Sequence, residues 1–108
     1  MQSSSLTSKM KEVILSADGP SAIYVVPDIV ADNLHDYCLE FCCNWLRKST
    51  FAAKYRRGNV LCYNEQDFID YLNEHIFPQE NSVLVQNLGY MTAKEQKQRF
   101  KDVPAFNF

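Results

Sequence analysis

Four cysteines and two histidines are the residues of this chain best suited to metal or thiol chemistry, and they are unevenly placed. His35, Cys38 and Cys42 stand at i, i+3 and i+7, so a helix turning about 100° per residue would hold them within about 60° of one another. Cys62 or His75 could complete a tetrahedral zinc site. The same spacing also sets Cys38 and Cys42 beside an apolar stripe, where free cysteine behaves as a small hydrophobe. Zinc pairs more often come from CxxC turns, and the chain has none. The expectation is no metal and no cofactor.

Cys62 falls at the end of a short strand, just before a helix start, a place that stabilises a thiolate. A cysteine phosphatase would need arginine six residues on and a glycine-rich anion cradle. Here that residue is Phe68, and no such cradle follows. Gly19, Gly58 and Gly89 are the only glycines, which excludes GxGxxG, GxxxxGK[ST] and GxSxG. His75 falls on the apolar side of a helix, as a core-edge histidine does. No catalytic residue is assigned, and the chain reads as a non-enzyme.

Two surface patterns remain. Arg47, Lys48, Lys54, Arg56 and Arg57 are cations in a segment, 47–57, with no acidic residue, and Phe51 and Tyr55 interleave them. Basic plus aromatic residues suit single-stranded nucleic acid or another polyanion, with Tyr55 stacking. Against this, the acidic run Asp67, Asp70 and Glu74 offers loose surface pairing worth about 0–1 kcal/mol. The second pattern lies on the first helix, where Leu39, Cys43 and Leu46 recur at i, i+4 and i+7, away from the main stripe. A helix covering a sheet needs one apolar face. The second must be covered by the tail with Phe106 and Phe108, by a second copy, or by another protein.

The elements that position these residues follow from periodicity. Met10–Ser16 and Ser21–Val26 are β-prone runs around an Asp-Gly turn, hence a hairpin. Val30, Leu34, Tyr37, Cys38, Phe41 and Trp45 form the stripe of a helix from Asp28 to about Lys48. A short strand, Asn59–Tyr63, precedes a helix capped by Asn64, running Glu65–Phe77 and stopped by Pro78. Ser82–Leu88 reads as a third core strand. Thr92 and Glu95 make a capping box for a polar helix to about Lys101.

The order β-β-α-β-α-β-α indicates an α/β fold with a mostly parallel sheet and an antiparallel edge strand from the hairpin, helices packed on it. A chain of 108 residues fits a single domain over 10–108, with a loose serine-rich segment at 1–9. A net charge of −2 gives no global pull towards nucleic acid or membranes. The N-terminal stretch has no apolar run longer than Val13–Leu15, which does not suit a signal peptide. Clustered, adjacent cysteines suit reduced thiols and a cytoplasmic setting better than disulfides. The leading expectation is therefore a non-catalytic binding or regulatory module whose partner is another protein or a second copy. The alternatives are an anion-binding module on residues 47–57 and a cysteine or zinc protein.

Overall fold

Residues 9–108 are described by the computed structural model, so the expected loose segment falls, except for Lys9, outside the described residues. Strands β1 (Met10–Ser16) and β2 (Ser21–Pro27) pair antiparallel, with Met10 opposite Pro27 and Leu15 opposite Ala22. The turn between them holds Asp18 at φ 57°, a left-handed conformation that Asp visits more readily than most residues. Val13, Leu15, Ala22, Tyr24 and Val26 alternate onto one face and enter the main core. Ile14 and Ile23, opposite each other in the ladder, are buried on the other face.

The long helix forms, but in pieces. Segments α1 (Asp28–Asp32) and α2 (Leu34–Leu39) meet at Asn33, followed by a π-helical turn over Glu40–Trp45 and α3 (Leu46–Lys48). A 3-10 turn, Thr50–Tyr55, leads into β3 (Arg56–Arg57), which pairs only with β4 (Val60–Leu61). Helix α4 (Glu65–Tyr71) opens with a capping box between Asn64 and Asp67 and passes into a second π-helical turn, Leu72–Ile76. Then come β5 (Val83–Gly89), α5 (Ala93–Arg99) capped reciprocally by Thr92 and Glu95, and β6 (Ala105–Asn107).

The sheet order is β5-β2-β1-β6. Its β1–β2 and β2–β5 pairs are antiparallel and only β1–β6 is parallel, which corrects the expected mostly parallel sheet. The reason lies in residues 56–61. Gly58, at φ 62°, allows a tight turn that pairs Arg57 with Val60 locally and keeps this short strand out of the main sheet. Without that strand, two successive helical segments separate β2 from β5. The chain comes back to the sheet at β5 running antiparallel to β2. The expected core strand becomes an edge strand.

From β5 the chain crosses to the opposite edge, through α5, and lays β6 beside β1. Gln96 of α5 lines a cleft with Ile14 and Ser16, on the face away from the main core. Helices therefore occupy both faces of the sheet in this small α/β domain. On the main face Phe41 is fully buried among rings, with Tyr71 at 5.0 Å, Phe68 at 5.5 Å and Tyr63 at 5.6 Å between centroids. Among the described residues no helix is long and apolar enough to cross a membrane.

Candidate functional site

The first-helix face expected to need a cover is divided by the π-helical turn. Hydrogen bonding from i to i+5 accommodates about one extra residue per turn, so residues beyond it lag the α-helical phase. Leu46, which 3.6-residue periodicity sets beside Leu39, is turned inward and is 0% exposed. Leu39 stays 37% exposed and Cys43 is exposed. The expected surface set thus loses Leu46 to the core. Phe106 and Phe108 also turn inward, half-buried, with Phe108 5.4 Å from Phe68 and Phe106 5.8 Å from His35. The tail covers the aromatic core as a strand, and it leaves Leu39 exposed.

The basic segment separates into roles. Arg56 is half-buried, and its Nη1 donates to the carbonyls of Leu46 at 2.8 Å and Ser49 at 2.9 Å. It thereby satisfies carbonyls left open where the helix ends. Lys54 Nζ lies 5.1 Å from the centre of the Tyr55 ring, a cation–π contact, and Tyr55 is half-buried against Trp45. Arg47, Lys48 and Arg57 are exposed, and none of the five cations lies within ion-pair distance of a carboxylate among the described residues. The loose pairing with Asp67, Asp70 and Glu74 does not form. Arg47 and Arg56 meet at a 290 Å³ cleft with Gly58, Asn59, Val60 and Leu61, and no acidic residue lines it.

His75 is drawn into a ring cluster, 5.1 Å from Trp45 and 5.1 Å from the largely exposed Phe51, with Glu74 Oε1 3.9 Å away. The crevice beside it also meets Asp70 and Lys54 but encloses only 10 Å³, room for about one water. A cation cage for an outside ligand has no space there.

The four free thiols differ in their surroundings. Cys38 is fully buried, and burial followed by the charge of nearby Cys42 pushes its thiol far up, so it is an inert core residue. His35 is exposed and faces Phe106 instead. Cys62 is an exposed free thiol. Cys42 and Cys43 come together, their sulfurs 3.7 Å apart. Among the described residues no three His, Cys, Asp or Glu side chains gather where they could hold a metal ion.

A run of consecutive exposed apolar residues lies elsewhere. Val83, Leu84 and Val85 of β5 are consecutive and 50%, 46% and 50% exposed. Register shifts against β2 between Ser21 and Ala22 and between Ile23 and Tyr24 break the two-residue alternation, so neither face of the strand is sealed. Sequence reasoning took these residues for core. The signal it could have used is charge: residues 81–93 contain neither acid nor base.

No protein-family model, no curated protein and no solved structure matches this chain.

Proposed function

We propose that this chain is a non-catalytic protein-binding module whose β5 edge receives an extended, uncharged segment of a partner protein. The observation carrying this reading is the run Val83-Leu84-Val85, half-exposed on an edge strand. Edge strands are normally guarded by charge, proline or brevity, because their free N–H and C=O groups template another strand. β5 has seven residues and neither charge nor proline, whereas the opposite edge, β6, has three. In strand addition the backbone ladder supplies affinity and alternate side chains supply selectivity. The two irregularities against β2 twist the edge and favour a short added segment over open-ended stacking. Four free thiols support placing this activity in a reducing, cytoplasmic setting.

The test is a display library of extended peptides, with binders mapped by hydrogen exchange. Uncharged peptides with alternating apolar residues should bind and slow the amides of β5. Leu84→Lys and Val85→Lys should abolish binding while shifting stability within about 0.5 kcal/mol, as surface changes do. Binding unaffected by both substitutions overturns the reading. Concentration-dependent dimerisation lost in Val85→Lys makes a second copy the occupant.

A second reading, binding of single-stranded nucleic acid, is favoured by the carboxylate-free cleft of Arg47 and Arg56. Oligonucleotide affinity should then fall with salt, and each phosphate contact removed should reduce the logarithmic slope by about 0.7. Arg47→Gln and Arg57→Gln are the variants to use, since both side chains are exposed. Absence of binding at low salt removes this reading.

A further inference from the structure

Cys42 and Cys43 sit within the π-helical turn Glu40–Trp45, a form of helix that recurs at functional sites. The wider turn sets successive residues at a smaller angle than the roughly 100° of an α-helix, which brings adjacent side chains closer. Their sulfurs are 3.7 Å apart, Cys43 is exposed, and Cys42 is half-buried beside Tyr63. A direct disulfide is disfavoured here. Adjacent Cα atoms are about 3.8 Å apart, below the usual 4.4–6.8 Å range, and the sulfurs would have to close to about 2.05 Å. One larger thiophilic atom bonded to both sulfurs needs no such closure. Tetrahedral zinc would need further ligands, and among the described residues no third His, Cys, Asp or Glu joins the pair.

We propose that Cys42 and Cys43 form a chelating dithiol site for a monosubstituted trivalent arsenical. Soft thiolate ligands match a soft centre. Such an arsenical, RAs(OH)₂, takes two sulfur ligands and retains its own carbon substituent. Two S–As bonds form and two As–O bonds break. The two thiol protons leave with the two hydroxides as two waters, and no atom changes oxidation state. The other cysteines lack this pairing: Cys38 is fully buried and Cys62 stands alone on the surface.

The experiment uses the whole chain, fully reduced, with phenylarsine oxide as the probe and intact-mass spectrometry as the readout. Wild type should gain one phenylarsenic adduct that survives washing with a monothiol and is released by a dithiol. Cys62→Ser should retain it. Cys42→Ser and Cys43→Ser should each lose the monothiol-resistant adduct, with circular dichroism confirming that the helices remain. Cys43 is exposed, so its serine variant keeps the measurement decisive even if Cys42→Ser misfolds. No resistant adduct on wild type, retention in folded Cys43→Ser, or loss in Cys62→Ser each overturns the proposal.

Discussion

Asn107 and Asp18 hold each other by two hydrogen bonds. Asn107 Nδ2 donates to Asp18 Oδ1 at 2.9 Å, and the Asp18 N–H donates to Asn107 Oδ1 at 2.8 Å. Ser16 Oγ also donates to Asn107 Oδ1, and the Phe108 N–H donates to the Ser16 carbonyl at 2.8 Å. This clasp ties the tail to the first hairpin turn and sets Phe106 and Phe108 over the aromatic core. Asn107→Ala should lower stability by about 1–2 kcal/mol, because exposed hydrogen bonds contribute about 0.5–1.5 kcal/mol each and overlap. A double-mutant cycle with Asp18→Ala, read by urea denaturation, should show coupling of at least about 0.5 kcal/mol. Strict additivity would mean that the tail is held by its rings alone.

The β1–β2 hairpin, the Asn64 cap, the Thr92–Glu95 capping box and the starts of the major helices were legible because each depends on residues close in sequence. Asn64 and Asp67 lie three apart, as do Thr92 and Glu95, and both pairs close as their types require. Strand direction was not legible. It depended on whether residues 59–63 would join the sheet, a long-range competition that Gly58 decides through a local turn. Leu46 escaped for a related reason: periodicity assumes one helical pitch, and the turn at Glu40–Trp45 does not keep it. Of the candidate site, the basic segment was visible as composition. Which arginine serves the fold and which faces solvent could be seen only from the Leu46 and Ser49 carbonyls that Arg56 reaches.

Arg56 is accordingly a structural cation first. Arg56→Ala should cost about 1.5–3 kcal/mol, the range for hydrogen bonds to a charged group. Arg56→Lys should recover only part, since the shorter lysine carries its ammonium short of the place of Nη1, the one nitrogen that reaches both carbonyls. Arg47→Gln should leave the denaturation midpoint nearly unchanged. Equal losses for Arg47→Gln and Arg56→Ala would contradict this division of labour.

Stability should fall in alkali. Burial, with smaller contributions from Glu65 and Asp70, pushes the Tyr24 hydroxyl up to about 12, and burial with Glu40 and Tyr37 does the same for Tyr71. A raised folded-state pKa means that the native chain keeps a proton the unfolded chain releases. The stabilisation is complete below the unfolded value of 10.0 and is lost as pH climbs from there to about 12. Each ring should account for about 2–3 kcal/mol over that window, at 1.36 kcal/mol per unit. Urea midpoints measured across it should decline less steeply in Tyr24→Phe and Tyr71→Phe. A variant that tracks wild type would show that its tyrosine does not drive the loss.

The start of β5 is pinned by one side chain. Asn73 Nδ2 donates to the Ser82 carbonyl at 2.9 Å, and the Ser82 N–H donates to Asn73 Oδ1 at 2.7 Å, while the buried Ser82 hydroxyl finds no partner in the fold. Removing the amide leaves two backbone groups unsatisfied, so Asn73→Ala should cost about 2–3 kcal/mol. Ser82→Ala removes an unpaired buried hydroxyl and should leave stability unchanged or raise it by up to about 1 kcal/mol. Hydrogen exchange separates a local effect from a global one. In Asn73→Ala the Val83 and Leu84 amides should exchange faster, while those of Val13 and Leu15 keep pace with global unfolding. Uniform acceleration along β1, β2 and β5 would show instead that the clamp supports the whole sheet, and that the proposed binding edge cannot loosen independently.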